Sequence, residues 1–264
     1  MMKSVILYLL MLMIPPRTGM SVKVQKPISK FYSSLSRDGI KGNVAMTEIS
    51  FYTIDTLKKM SIQDSCCITR SIFDRKGNSI KMGRYNTRGV YQGGTETKYH
   101  SNGLIKQIRF LNKDNRETAR EEYFIDGMGK YTGGDAYDEG KLLRKFKING
   151  QNKYGQWTSF ILYSLDGSVY REEEYIYDEN RKIGEVWKEY KDDPKGMVVQ
   201  DMMYKYNIRG ELILQQGIHS FLGPVNETSN RIFEYDKYGN WIQYIILNST
   251  GKPVRLVKRS LAYR

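Results

Sequence analysis

The sequence predicts an all-β fold: a long antiparallel meander of β-hairpin repeats, stepping about every thirteen residues and curled into a largely single-layer sheet. Three observations predict it. A turn marker of Asp or Asn followed by Gly recurs along the chain. The segments between markers are rich in Tyr, Ile, Val, Phe, Thr and Trp and lack helical periodicity. Neither alternate face of those segments is cleanly apolar, which argues against a thick sandwich core.

The chain opens with Lys3, an apolar run from Val5 to Ile14, and the stop Pro15-Pro16. Gly19 and Ser21 place small residues before a cut after Ser21, so residues 1–21 read as an export signal. The run is too short to span a bilayer as a helix. Residues 22–40, with Lys23, Lys26, Lys30, Arg37 and a Ser-rich stretch, read as a basic flexible leader. Residues 41–264 read as a single hairpin-repeat domain, in which Asn43 to Ile54 and Cys66 to Phe73 are the first strands. Cys66-Cys67 reads as two small apolar side chains, because adjacent Cα atoms about 3.8 Å apart strain a disulfide between them, with pairing between two chains as the alternative.

From Phe73 the markers are Gly77, Gly89, Gly103, Gly127, Gly140, Gly167, Gly210, Gly239 and Gly251, with weaker ones at Asn115, Gly155, Asn180, Gly196 and Gly223. Asp and Asn cap turns through their side chains, and Gly takes the positive φ that a tight hairpin needs. The spacing leaves strands of about eight or nine residues and turns of about four or five, so successive strands are antiparallel neighbours.

Tyr175-Ile176-Tyr177-Asp178, Tyr204-Lys205-Tyr206-Asn207-Ile208-Arg209-Gly210 and Phe233-Glu234-Tyr235-Asp236-Lys237-Tyr238-Gly239-Asn240-Trp241 resemble the YD repeats of RHS-type proteins. The resemblance covers about residues 73–264 and is strongest towards the C-terminal end. It implies a spiralling ribbon of hairpins, in some members a shell around a toxin, and so a toxin-associated or immunity role as one alternative. The chain departs from that family in being short for a large shell, and since the repeats run to near Arg264 no separate toxin domain is expected. A MORN-like hairpin repeat is the second resemblance. Neither implies an activity.

The search for chemistry is brief. His100 falls in a turn and His219 in an irregular stretch, and both read as surface residues without a nucleophile partner. Glu172 and Glu174 share a strand face about 6.5–7 Å apart, a glycosidase-like separation, and form the least favoured alternative, a glycan-active enzyme. Glu121-Glu122 and Asp192-Asp193 read as solvated loop edges, and Gly93-Gly94 and Gly133-Gly134 as turn glycines. With no CxxC, HExxH or EF-hand pattern, no catalytic, cofactor-binding or metal residue is expected, and no cofactor.

The formal charge is +13, and removal of residues 1–21 takes Lys3 and Arg17 but no acid. Behind an export signal, this charge points away from nucleic acid and towards an anionic glycan, a protein partner or a membrane surface. The dense segments Lys141–Lys147 and Arg255–Arg259 read as protective sheet edges, while two open edges invite a partner strand. Trp157, Trp187, Tyr190, Lys188, Arg144 and Lys147 are the ligand-contact candidates, whereas Trp241, just after a turn, reads as packing. The expectation is an exported, non-enzymatic β-repeat protein of the periplasm or cell surface, acting as a binding or scaffold module.

Overall fold

The structure, a computed structural model, describes residues 40–55, 60–63, 68–179, 181–190, 194–207, 209–219, 223–228, 231–248 and 250–264. The expected export signal, the leader up to residue 39 and the Cys66-Cys67 pair lie outside them. Eighteen strands follow: β1 (Val44–Asp55), β2 (Met60–Gln63), β3 (Ile68–Phe73), β4 (Ser79–Tyr85), β5 (Tyr91–Tyr99), β6 (Ile105–Leu111), β7 (Glu117–Ile125), β8 (Tyr131–Asp138) and β9 (Lys141–Gln151) make the first half. β10 (Trp157–Tyr163), β11 (Val169–Asp178), β12 (Arg181–Glu189), β13 (Met197–Tyr206), β14 (Leu212–His219), β15 (Gly223–Thr228), β16 (Arg231–Tyr235), β17 (Trp241–Leu247) and β18 (Pro253–Tyr263) complete it. The all-β antiparallel meander in one sheet is as the sequence predicts.

The turns explain why these residues make these strands. In ten hairpins the residue just after a strand, such as Asp74, Asn112 or Asp236, receives the backbone N–H of the residue three further on, and its own N–H donates to the carbonyl four further on. Where that residue is Asp or Asn, its Oδ1 accepts the N–H groups two and four positions later, as Asp236 does from Tyr238 and Asn240 at 2.9 Å each. The residue at the third step must then adopt positive φ, and Gly239 does so at φ 78. This is a type I turn with a glycine bulge, and it shifts the ladder register beside each such turn. Two markers are placed differently from the sequence reading. In the turn after Asp126 the positive φ belongs to Gly129 rather than Gly127, and Gly223 opens a strand. Gly93-Gly94 and Gly133-Gly134 are not turn glycines either. They lie inside β5 and β8, where a Cβ on Gly94 or Gly134 would stand 2.0 Å or less from a neighbouring carbonyl oxygen.

The ends of the meander meet. β1 pairs with β18 over nine residue pairs from Val44↔Tyr263 to Thr53↔Arg255, while its other edge carries β3 and then β2. The two open edges expected from the sequence are therefore used up by each other. All the ladders are antiparallel, and alternation from β1 through β14 and back from β18 requires β15 and β16 to run in the same direction. Only two residues separate those strands, too few for a parallel crossover, so they share one place in the ring. β15 pairs with β14 and β16 with β17. With β2 and β3 also sharing a place, the sheet is a nearly closed barrel-like curl of sixteen places. At the seam Tyr235 donates its hydroxyl to Glu211 at 2.6 Å beneath the Arg209 guanidinium, so side chains bridge the β16 side.

A clasp fastens the ring near its ends. Asn240, 1% exposed, accepts the Lys41 N–H and donates to the Lys41 carbonyl and the Tyr263 hydroxyl. Tyr263 in turn donates to Asp236, and Ile40, Val44, Phe73, Leu261 and Tyr263 pack beside it.

Candidate functional site

Register sorts the side chains onto two faces. One cross-strand row runs Ile148, Phe160, Glu173, Trp187, Gln200, and each member is at most 6% exposed. A second row runs Tyr123, Gly134, Phe146, Leu162, Arg171. Because Gly134 has no side chain, the rings of Tyr123 and Phe146 meet over it with centroids 5.2 Å apart, and Trp157 stacks on Tyr123 and Phe160. Glu121 interacts electrostatically with Glu173 and Arg171, four strands away. A flat sheet would hold them about 19 Å apart, so the sheet curls towards this face, which is the concave one.

The inner face also buries charge. Arg171 pairs with Glu173 at 2.5 Å and covers the Trp187 ring, while Tyr175 donates to Glu173. Glu185 accepts from Gln200 and Lys182 at 2.8 Å each and from the Tyr204 hydroxyl. Burial holds the Glu121 and Glu173 carboxyls above the usual carboxylate range, and burial beside those carboxylates pushes the Tyr123 and Tyr175 hydroxyls well up. Glu121 is thus no solvated loop edge: it lies in β7, 9% exposed, and accepts the Tyr123 hydroxyl. His219 is not a surface residue, being 4% exposed, and burial lowers its basicity.

The outer face is wet and charged. Glu48 pairs with Arg70, and a run of ion pairs links Lys81, Glu96, Arg109, Glu117, Arg120 and Glu122 at 2.7–3.3 Å. One outer row reads Phe124, Gly133, Lys147, Ile161, Glu172, Lys188. Tyr190 donates to Glu172 at 2.6 Å, and that bond raises the Tyr190 hydroxyl.

Three of the six contact candidates therefore share the outer face: Lys188 and Tyr190 adjoin Glu172, and Lys147 stands two strands away in the same row. The other three are not. Trp187 is 2% exposed inside the curl, and Trp157 packs in the inner aromatic cluster, because both sit on the concave face. Arg144 lies 3.7 Å over the Tyr170 ring. Trp241 packs as expected, under Arg259 and against Tyr244. Neither dense basic segment is an edge: β9 is paired on both sides, and so is β18. Between Glu172, Glu174, Val186 and Lys188 the free space is about 10 Å³, room for a single water at most.

The sequence reading missed a hollow of about 340 Å³ lined by His100, Lys106, Gln107, Glu122, Tyr123, Phe124 and Ile125. It forms because the β6–β7 ladder ends at Gln107↔Glu122, while β7 runs on to Ile125 paired only with β8. His100, from the preceding turn, reaches across the gap to the Tyr123 carbonyl at 3.1 Å. The available signal was an aromatic residue, Phe124, facing a strand glycine, Gly133.

No family model and no curated protein matches the chain, so neither the YD-repeat nor the MORN-like resemblance gains support there. Among solved structures, the chain is similar to a porin-like protein from Bacteroides uniformis, with 11% identity, 83% of this chain and 96% of that chain covered, and a TM-score of 0.49. A porin-like protein from Bacteroides vulgatus gives 10% identity, 84% and 99% coverage, and a TM-score of 0.34. The TcdB2-TccC3-TEV structure gives 12% identity over 77% of this chain and 15% of that one, with a TM-score of 0.21. All three scores lie below 0.5, so no function or residue role is carried over.

Proposed function

We propose that this chain is an exported, non-enzymatic β-repeat protein that works at the cell envelope as a binding or scaffold module for a protein or an anionic glycan. The observation that supports this most is the outer row: the exposed Lys147 and the partly exposed Ile161, Glu172 and Lys188 stand in register across four strands, with Tyr190 beside Glu172. Such a surface offers ammonium groups, a hydroxyl and an apolar floor over several strands, which suits contact with an extended partner. The Glu172–Glu174 pair has no cleft to receive a glycosidic bond, which favours binding over hydrolysis. The outer ion-pair run favours a ring bathed in water, because lipid would have to strip those charges.

The test is capture from the native envelope with tagged protein lacking residues 1–21, together with a glycan array on the same preparation. A stoichiometric protein partner or a salt-sensitive glycan signal, weakened by Lys147→Ala with Lys188→Ala, supports the reading. Neither partner nor glycan, or a signal indifferent to both substitutions, contradicts it.

A further inference from the structure

We propose that the hollow between β6 and β7 is a binding site for an acidic saccharide of the uronate type. The proposal rests on the binding-module reading and gives it a specific site and ligand class. Its volume of about 340 Å³ falls at the lower end of small-ligand pockets, enough for one or two sugar rings. Phe124 supplies the apolar wall: it is 46% exposed, whereas Phe73, Phe110, Phe146 and Phe160 are each at most 7% exposed. Phe124 is uncovered for a structural reason. Its cross-strand partner is Gly133, which has no side chain, and a Cβ there would stand 2.3 Å from the Phe146 carbonyl oxygen. The gap cannot be filled without moving a strand. A sugar presents an apolar C–H face to such a ring and hydroxyls to its surroundings.

The polar lining suits an anion. Lys106 makes no ion pair among the described residues. Glu122, the acid of the hollow, is already held by Arg120 at 2.9 Å and by the Gln107 amide at 3.3 Å, so its charge is answered within the sheet. His100 spends Nε2 on the Tyr123 carbonyl, which fixes the ring and leaves its second nitrogen for a hydroxyl. Beyond Gly133 the same row reaches the exposed Lys147, which has no ion pair among the described residues. An extended acidic chain can thus run from the hollow across the glycine gap to a second ammonium.

Calorimetric titration of the full chain with oligogalacturonate, and with its methyl ester as the neutral counterpart, tests the site. The acid binds, and esterification weakens it by about tenfold or more. Phe124→Ala weakens it by about tenfold with the melt unchanged, and Phe124→Trp restores it. Lys106→Ala weakens it and reduces the salt dependence. Equal affinity for acid and ester, or wild-type affinity in Phe124→Ala, overturns the proposal. If oligogalacturonate fails to bind while an envelope partner is still captured, the saccharide site falls and the binding-module reading stands. If both fail, both fall.

Discussion

The arc from β9 to β13 and the arc from β16 to β18 use the same hairpin repeat, yet they pack differently. In the first, a continuous inner row from Ile148 to Gln200 is buried across five strands. In the second, β16 and β17 contain no buried residue, and Arg231, Phe233, Tyr235, Trp241 and Tyr244 lie over one another half-exposed. Each arc contains two turns of the same hydrogen-bonded kind, at Asn152 and Ser164 in the first and at Asp236 and Asn248 in the second, so that turn type alone does not decide the packing. What differs is the relief of the inner surface: Gly134 in the adjoining β8 opens a slot that the Phe146 ring of β9 enters, and Arg171 pairs with Glu173 inside the packed arc. β16 and β17 also lie beside the seam, where β16 has one ladder partner among the described residues. The hairpin repeat therefore fixes strand order, while local gaps between large side chains fix stability.

The largest expected effects compare the two arcs directly. Trp187→Ala empties a site 2% exposed and should cost about 3–5 kcal/mol, whereas Trp241→Ala, in the half-exposed arc, should cost clearly less by chemical denaturation. Equal losses would erase the distinction. Arg171→Met should cost about 3–5 kcal/mol, because it strands a buried Glu173, and adding Glu173→Gln should recover much of the loss. Absence of any rescue would mean that Arg171 acts through packing alone.

Next comes the Asp236–Gly239 turn. Gly239→Val should destabilise by more than about 1 kcal/mol, since a β-branched residue resists φ 78. An unchanged melt would remove the strain from that turn. The sequence showed these turns plainly, because Asp or Asn and Gly carry the whole instruction within five residues. It did not show the burial of Glu121 or Glu173. Both stand in polar alternations, Arg120-Glu121-Glu122 and Arg171-Glu172-Glu173-Glu174, where nothing local says which parity turns inward. Nor did it show ring closure, which depends on Val44 meeting Tyr263 across the whole domain. The hollow was illegible for the same reason: it exists where one ladder stops and a neighbouring one continues.

Acid should act oppositely on the two arcs. Burial, opposed by Arg171 and Tyr175, leaves the Glu173 carboxyl above its ordinary 4.5, so its contribution is fully present below that value and lost as pH rises through the folded value. Asp236 is the reverse. Burial raises it, but hydrogen bonds from Tyr263 and from the Asn240 and Tyr238 amides outweigh this and hold it below 3.8. Its contribution to the clasp is present above 3.8 and lost as pH falls through the folded value. Melts from about pH 3 to about pH 7 should show Asp236→Asn removing acid sensitivity and Glu173→Gln flattening the loss on the alkaline side. The same slope in both variants and the wild type would contradict the assignment. The smallest effect belongs to the outer face, where Arg70→Ala should change stability by less than about 1 kcal/mol, its partner Glu48 being partly exposed.

Amide hydrogen exchange, read by peptide mass spectrometry on the full chain, tests ring closure most directly. A ring closed by β1 and β18 requires amides of Thr47–Thr53 and Arg255–Lys258 to be protected well above those of β16, since β1 and β18 each carry a ladder on both sides whereas β16 has one ladder partner among the described residues. Exchange of those two segments as fast as the turns would mean an open ribbon with free edges, and would contradict the closed curl.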